Sequence, residues 1–270
     1  MNGRVLIVAG SVSGGGAGIQ ADVKTVTALD GFAATAITAL TIQNTLGVAA
    51  VHPVPPEIVA GQMEAVLADI GADCVKTGML GDAAIIAAVA DVLERLAPEV
   101  PLVVDPVMLA TSGAALLHGS ATEALIGLLV RRARLLTPNI PEAAVLLGRA
   151  IPDRDAMARA ALELLGLGCA AVLLKGGHLD DNGPDVVDLL ATADGVTAFA
   201  GLRLASRSTH GTGCTLASAV ACGLAQGLDL AAAVGRARAY VRRAIETAPG
   251  LGHGHGPLNH AHTVGRFMTE

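Results

Sequence analysis

Short apolar segments alternate with longer stretches of helical spacing along most of the chain. VLIVA, at residues 5–9, has no polar position, as is typical of a strand buried on both faces. The pattern predicts strands over 4–9, 33–40, 73–78, 101–105, 134–137 and 170–176, and helices over 17–29, 56–70, 82–97, 120–132 and 153–167. Such alternation predicts an α/β fold with a mostly parallel sheet between two helical layers.

The pattern changes after Gly176. DVVDLL, GVTAFA and LRLAS are short, closely spaced segments, which predict antiparallel strands at one edge of the sheet. Two further helices are predicted over 213–226 and 229–247. Because no linker, low-complexity tract or repeat interrupts the chain, we expect a single domain over residues 1–270.

Composition excludes several classes of protein. Hydrophobic residues make up 52% of the chain, but no apolar run approaches the roughly 20 residues that a membrane span needs. The net charge of −6 and the shortage of aromatic residues argue against a nucleic-acid partner. The four cysteines form no C-x-x-C pair and no secretion signal precedes them, so we expect a cytoplasmic protein with reduced thiols.

The loops at the carboxyl ends of the strands are where an open α/β sheet binds its ligands. The predicted strands place these loops at 10–16, 41–47, 78–81, 105–113, 138–142, 175–183 and 206–213. Glycine and unusual polar residues are concentrated there. A functional site is therefore expected along this edge.

The first loop reads AGSVSGGGAGIQAD. Gly16, Gly18 and Ala21 match G-x-G-x-x-A, but a dinucleotide site also requires an acidic residue about 20 positions later, and none occurs between Asp30 and Glu57. The glycines are instead expected to let the backbone approach another small ligand, with Asp22 facing that ligand. The alternative for Asp22 is a first-turn acid that complements the helix dipole.

The turn HGTGC, at residues 210–214, offers an anion-binding site. Gly211 and Gly213 relax the backbone, so successive N–H groups can form a concavity at the start of the following helix. A helix N-terminus also lowers thiol pKa values, which would make Cys214 a base or proton partner for a substrate hydroxyl. The alternative is that Cys214 is a small core residue.

Three further loops carry polar side chains. Asp105 ends one buried strand, while Asn139 and Glu142 follow another, and such carboxylates suit Mg²⁺ together with substrate phosphates. Glu142 could equally be a first-turn acid following Pro141. Lys175 ends a strand beside two glycines, where it could reach a phosphate or be an ordinary exposed lysine.

The C-terminal segment GHGHGPLNHAH is rich in histidine. Zinc sites usually show tighter spacing on a helix or between cysteine and histidine pairs. The pattern therefore argues against a structural metal at His253, His255, His260 and His262.

Eight motifs follow one another over nearly the whole chain: GSVSGGGAGIQAD, ITALTIQNT, VKTGML, DPVM, TPNIPEA, KGGH, THGTGCTLASA and GHGPLNH. In this order they resemble the motifs of the bacterial hydroxymethylpyrimidine/phosphomethylpyrimidine kinases of thiamine biosynthesis, in the ribokinase-like superfamily. Each motif is weak alone, but the ordered set is specific.

The resemblance implies a ribokinase-like three-layer α/β/α sandwich, with ATP and Mg²⁺ as cofactors. The first acceptor would be 4-amino-5-hydroxymethyl-2-methylpyrimidine and the second its monophosphate. By matching motifs, the pyrimidine pocket would contain Gly10, Asp22, Gln43, Met79 and Val107. ATP would be held by Asp105, Asn139, Glu142, Lys175 and Thr212, and Mg²⁺ by Asp105 and Glu142. The catalytic residues would be Gly211, Gly213, Cys214 and Lys175. A homodimer is also implied.

Two positions depart from related patterns. The first loop of this family usually reads Gly-Ser-Asp, but the third position here is Val12. The wider superfamily usually has Asp where this chain has Cys214, although the pyrimidine kinases share the cysteine. A pyridoxal kinase and a non-catalytic pyrimidine sensor stay open as alternatives, which acceptor preference and ADP release would distinguish.

Overall fold

A computed structural model describes residues 1–108, 119–179 and 183–265. Its centre is a nine-stranded sheet with the order β3-β2-β1-β4-β5-β6-β7-β8-β9. The strands are β1 (Arg4–Val12), β2 (Phe32–Gln43), β3 (Val48–Pro53), β4 (Cys74–Thr77), β5 (Leu102–Val104), β6 (Leu135–Leu136), β7 (Ala171–Leu174), β8 (Asp185–Thr192) and β9 (Gly195–Leu202).

The sheet is parallel in its middle and antiparallel at both edges. Strands β2, β1, β4, β5, β6 and β7 run parallel to one another. Strand β3 pairs antiparallel with β2, and β8 and β9 continue antiparallel from β7. The expected mixed sheet is confirmed.

Helices cover both faces of the sheet. They are α1 (Gly18–Ala28), α2 (Pro56–Asp69), α3 (Ala83–Leu96), α4 (Ser120–Ala124), α5 (Ile140–Leu147), α6 (Arg154–Leu165), α7 (Thr212–Ala225) and α8 (Leu230–Glu246). One buried cluster joins α2 to α6 with the sheet, and a second joins α1, α7 and α8 with the opposite face. Successive β1 residues alternate between these clusters, which explains why VLIVA is apolar throughout.

The predicted helix over 120–132 is helical throughout, but its geometry changes along its length. After α4, residues Leu125–Leu129 form a π-helical turn and Val130–Arg132 a 3₁₀ turn. The prediction of a third antiparallel strand at LRLAS is wrong, since β9 already ends at Leu202. Sequence patterns also missed β3, most of whose residues are exposed, and the short helix α5.

The strand order reverses between β1 and β4, because the chain builds outward from β1 in both directions. Loops that leave such a reversal point separate from each other and open a crevice for ligands. The loops after β1 and β4 contain Gly14–Gly16 and Met79. Among the described residues, no helix is long and apolar enough to cross a membrane.

Candidate functional site

Gly10 and Met79 meet at the reversal point of the sheet. A Cβ atom at Gly10 would overlap the terminal methyl group of Met79, so a larger residue at position 10 would displace this side chain. The Thr38 hydroxyl donates to the Met79 carbonyl oxygen at 2.6 Å and fixes the loop after β4. Val107 is half-buried after β5, where its N–H donates to the Asp105 carbonyl oxygen at 2.8 Å.

Gln43 lies at the end of β2 and faces a histidine that sequence patterns did not identify. Its Nε2 atom is 3.4 Å from Nε2 of His210, and both residues line a small depression with His255. Burial lowers the pKa of His210, and the neighbouring His255 lowers it further. A neutral imidazole therefore stands beside an amide that can both donate and accept hydrogen bonds.

The first glycine loop is held by Gln20. Its side-chain oxygen accepts from the Val12 N–H at 2.8 Å, and its Nε2 donates to the Ser11 hydroxyl at 2.8 Å. Val12 itself is buried. The loop is therefore fixed without a carboxylate at position 12.

Asp22 does not reach the pocket surface, which corrects the expectation that it lines the pyrimidine pocket. Its side chain is fully buried, with one oxygen 2.8 Å from Lys76 Nζ and the other accepting from the Ser218 hydroxyl at 2.6 Å. The first-turn alternative is also wrong, because α1 begins at Gly18 and has no acidic residue in its first turn. Asp22 lies behind the site and supports it.

The HGTGC turn forms the start of α7, as the sequence predicts. Gly211 is the N-cap with φ +83°, and a Cβ atom there would overlap the carbonyl oxygen of Gly16. Thr212 N–H donates to Thr209 and Thr215 N–H donates to Gly211. The amides of Gly213 and Cys214 remain at the open end of the helix, where an anion is favoured.

Lys175 and Asp105 converge on the same helix end. Lys175 Nζ donates to Asp105 Oδ1 at 3.1 Å, and the Thr137 hydroxyl donates to the same oxygen at 3.1 Å. A Cβ atom added at Gly213 would lie 3.2 Å from Lys175 Nζ and 3.9 Å from Asp105 Oδ2. The reading of Lys175 as an ordinary exposed lysine is wrong, since 12% of its side chain is exposed.

Lys175 carries its charge at neutral pH. Burial lowers its pKa, but the carboxylates of Asp105 and Glu142 raise it by more. The ammonium group therefore supplies a fixed positive charge next to the open amides of α7.

Cys214 is half-buried in the first turn of α7, and its thiol is protonated at neutral pH. Burial raises its pKa to about 11; Lys76 opposes this shift, while Asp22 and Asp105 add to it. The expectation that the helix N-terminus would favour the thiolate is therefore wrong.

Asn139 and Glu142 form a capping box at the start of α5. Asn139 Oδ1 accepts from the Glu142 N–H at 2.9 Å, and Glu142 Oε2 accepts from the Asn139 N–H at 2.8 Å. This confirms the alternative reading of Glu142 as a first-turn acid. Its carboxyl group is also buried, which raises its pKa to about 7; Lys175 lowers the pKa and Asp105 raises it.

The two carboxyl groups fit a magnesium ion that is shared with phosphates. Asp105 and Glu142 are both buried, and the charge of Asp105 raises the pKa of Glu142, so a divalent cation between the two groups would relieve this repulsion. Within 1–108, 119–179 and 183–265, no group of three or more His, Cys, Asp or Glu residues could enclose a metal. Mg²⁺ typically takes one or two carboxylates, with waters and phosphates as its other ligands.

The C-terminal histidines are separated from one another by their contacts. His260 is buried with Nε2 3.1 Å from the Thr215 hydroxyl, while His262 Nε2 lies 3.2 Å from the Tyr240 carbonyl oxygen. The His255 N–H donates to Thr45 at 2.9 Å. These residues brace α7 and the loop after β2.

Sequence patterns missed Lys76, Ser218, Gln20, His210 and Thr137, which hold the predicted residues in place. One signal was available for Lys76, because the segment DCVKTG puts a lysine inside a buried strand. Two of the predicted loops, 105–113 and 175–183, extend over 109–113 and 180–182, which lie outside the described residues.

Comparisons with known proteins identify the family of this chain. Residues 13–259 match the family described as phosphomethylpyrimidine kinase. A hydroxymethylpyrimidine/phosphomethylpyrimidine kinase from Rhizobium meliloti is 49% identical, covering 97% of this chain and 98% of that protein. The thiamine biosynthesis bifunctional protein ThiED from Geobacter sulfurreducens is 51% identical over 96% of this chain, and the chain spans 52% of that protein.

A solved structure shares the whole fold. The ADP complex of Bacillus subtilis pyridoxal kinase is 31% identical with a TM-score of 0.89, covering 97% of this chain and 98% of that one. This similarity confirms the ribokinase-like α/β/α architecture. From the match over residues 13–259 and the identity to the Rhizobium enzyme, we conclude that the chain belongs to the phosphomethylpyrimidine kinase family.

Proposed function

We propose that this protein transfers the γ-phosphate of ATP to 4-amino-5-hydroxymethyl-2-methylpyrimidine and then to its monophosphate, as a step of thiamine biosynthesis. One observation carries the proposal. Lys175, Asp105 and the open amides of α7 converge at Gly213. Phosphoryl transfer depends chiefly on positioning and on stabilising spread negative charge, which this arrangement supplies.

The transferred phosphate is proposed to lie against the first turn of α7. Gly211, Thr212 and Gly213 present the cradle. Glycine at 213 leaves space beside Lys175 that a side chain would fill, and glycine at 211 lets the turn pack against the Gly16 backbone. Lys175 neutralises the phosphate charge from the β7 side. Fixed donors of this kind act without reorganising during the reaction.

Asp105 and Glu142 are proposed to hold Mg²⁺ between themselves and the ATP phosphates. The ion would neutralise phosphate charge and orient the γ-phosphate for attack. Asn139 supports the site by capping α5, which fixes the Glu142 carboxyl group. Lys175 keeps Asp105 in place through their ion pair.

The pyrimidine ring is proposed to bind in the pocket formed by Gly10, Gln43, Met79 and Val107. Gln43 suits a ring nitrogen and an exocyclic amine, because its amide offers both an acceptor and donors. His210 stands against Gln43 and fixes its orientation. Met79 and Val107 supply the apolar surface in a chain with few aromatic residues.

Cys214 is proposed to lie at the acceptor hydroxyl as a neutral thiol. Its raised pKa makes it a poor base at neutral pH, so positioning of the phosphate carries most of the acceleration.

We also propose that the protein works as a single kinase domain in a cytoplasmic homodimer. The exposed apolar residues Leu40, Ile42 and Val51 of β2 and β3 offer a surface for the partner copy. All four cysteines are free thiols, as in a reducing compartment. Light scattering would test the dimer.

The decisive experiment measures ATP-dependent ADP release with the hydroxymethylpyrimidine, its monophosphate and pyridoxal side by side. We expect the highest kcat/KM with the two pyrimidines, and phosphorus NMR should show the mono- and diphosphate products. Binding of the pyrimidine without ADP release would instead support a sensor and refute the proposed activity.

Pyridoxal phosphorylation is the second candidate, because the Bacillus subtilis pyridoxal kinase shares the fold over nearly the whole chain. The identity of 49% to the Rhizobium pyrimidine kinase exceeds the 31% to that enzyme, which favours the pyrimidine. A higher kcat/KM for pyridoxal would reverse this choice.

A further inference from the structure

Helices α1 and α7 contact each other at positions that repeat every four residues. The Ser218 hydroxyl donates to Asp22 at 2.6 Å. One turn further along each helix, the Cys222 thiol lies 3.9 Å from the Val26 carbonyl oxygen. Residues four apart share one face of a helix, so these two contacts lie on a single line, here called the α1–α7 seam.

Lys76 of β4 anchors the first contact of the seam. Its ammonium lies 2.8 Å from Asp22, and both side chains are fully buried. Removing either partner would leave an unpaired buried charge, whereas the intact pair with Ser218 satisfies both oxygens of the carboxylate. The seam therefore ties α1, α7 and the central sheet at one point.

Each helix of the seam begins at one half of the proposed active site. The first glycine loop leads into α1, and the phosphate cradle is the start of α7. The two starts touch at Gly16 and Gly211, where a Cβ atom at Gly211 would overlap the Gly16 carbonyl oxygen. A shift of α7 along α1 would therefore change the distance between acceptor and phosphate.

We propose that Lys76, Asp22 and Ser218 are positioning residues for phosphoryl transfer, which hold the amides of Gly213 and Cys214 at a fixed distance from the acceptor loop. This inference rests on the proposed function. None of the three contacts the reacting groups directly. Their effect is on kcat, because a small displacement of the cradle alters transition-state contacts more than binding of the pyrimidine.

The pH dependence of turnover gives a signature that packing alone would not. Asp22 is faced by Lys76 from β4, by Ser218 and Cys214 from α7, and by Asp105 from β5. Burial raises the pKa of Asp22, while Lys76 and the Ser218 hydrogen bond lower it. Loss of the Ser218 hydroxyl raises this pKa further, so the ionised pair then requires a higher pH.

The test compares Ser218→Ala with Cys222→Ala, a matched change at the last contact of the same seam. Both remove one buried polar atom from α7. We expect Ser218→Ala to lower kcat about tenfold, to change the KM for the pyrimidine less than twofold, and to move the acidic limb of the kcat–pH profile to higher pH. Cys222→Ala should leave kcat and the profile unchanged. Equal kcat values and equal profiles for the two variants would overturn the proposal.

Hydrogen exchange separates this inference from the proposed function. Ser218→Ala should speed amide exchange in the peptide 211–217, and Cys222→Ala should not, whichever substrate the enzyme takes. A wild-type protein without turnover on any of the three alcohols would refute the proposed function. Unchanged exchange in Ser218→Ala would refute the contact of Ser218 with Asp22 and Lys76 as the element that holds the cradle.

Discussion

Replacing Gly213 by alanine should separate the stability of this protein from its activity. Gly213 lies in the first turn of α7 without a positive φ, so alanine fits the helical backbone. The new methyl group would lie 3.2 Å from Lys175 Nζ and 3.9 Å from Asp105 Oδ2. It would occupy space that the proposed phosphate needs.

The expected magnitudes follow from these contacts. Alanine in place of glycine stabilises a helix interior by up to about 1 kcal/mol, which corresponds to a rise in Tm of about 2 °C for a chain of this size. Loss of one well-aimed donor from an anion hole costs about 2.7–4 kcal/mol in the transition state. A displaced phosphate keeps part of that contact, so we expect kcat to fall at least about tenfold, or about 1.4 kcal/mol.

Gly61→Ala is the matched control, because Gly61 lies within α2 and a Cβ atom there has no neighbour within 4 Å. The assay is steady-state ADP release at saturating pyrimidine and ATP, with Tm measured by scanning calorimetry. Gly61→Ala should raise Tm and leave kcat unchanged. A Gly213→Ala enzyme with kcat within twofold of wild type would refute the placement of the phosphate.

Three further changes test single residues of the site. Cys214→Ala should lower kcat and leave the pyrimidine affinity, measured by titration calorimetry, largely unchanged. Unchanged turnover would show that Cys214 only packs in the core. Glu142→Gln should keep the cap with Asn139 and the wild-type Tm, because a glutamine side chain also accepts a hydrogen bond from the Asn139 N–H. The same variant should need a higher Mg²⁺ concentration for its half-maximal rate, and a Mg²⁺ titration equal to that of the wild type would contradict the role of Glu142 as a ligand. Burial lowers the pKa of His260 to about 4, with smaller contributions from Lys24 and His262, so the folded state loses stability as pH falls from about 6.5 toward 4. His260→Gln should flatten Tm over that range, and a slope equal to wild type would refute this cause.

The strand and helix alternation was predictable because buried parallel strands leave an unmistakable apolar pattern. β3 escaped prediction because an exposed edge strand lacks that pattern, and α5 because its eight residues are too few to show a helical period. The motif residues Gly213, Lys175 and Asp105 were expected along one edge, and they meet there.

The charge states at the site were not predictable in the same way. The pKa of Cys214 depends on Lys76, Asp22 and Asp105, which lie on three different elements of the fold. Only the folded chain shows that burial raises the pKa of this thiol by more than the helix N-terminus lowers it. Likewise, the sequence predicts that Asp22 faces a ligand or complements the helix dipole, and only the fold shows that it pairs with the buried Lys76 of β4.

The contact of Gly211 with Gly16 has a consequence for engineering. A Cβ atom at Gly211 would overlap the Gly16 carbonyl oxygen, and one at Gly16 would press on the side chains of His210 and Pro257. Substitution at either position in a mutant library would therefore cost folded protein before it changed specificity. Gln43 ends β2 and Val107 lies in the loop after β5, so these two side chains can vary independently. Redesign toward other primary alcohols should therefore randomise Gln43 and Val107 and leave Gly16 and Gly211 unchanged.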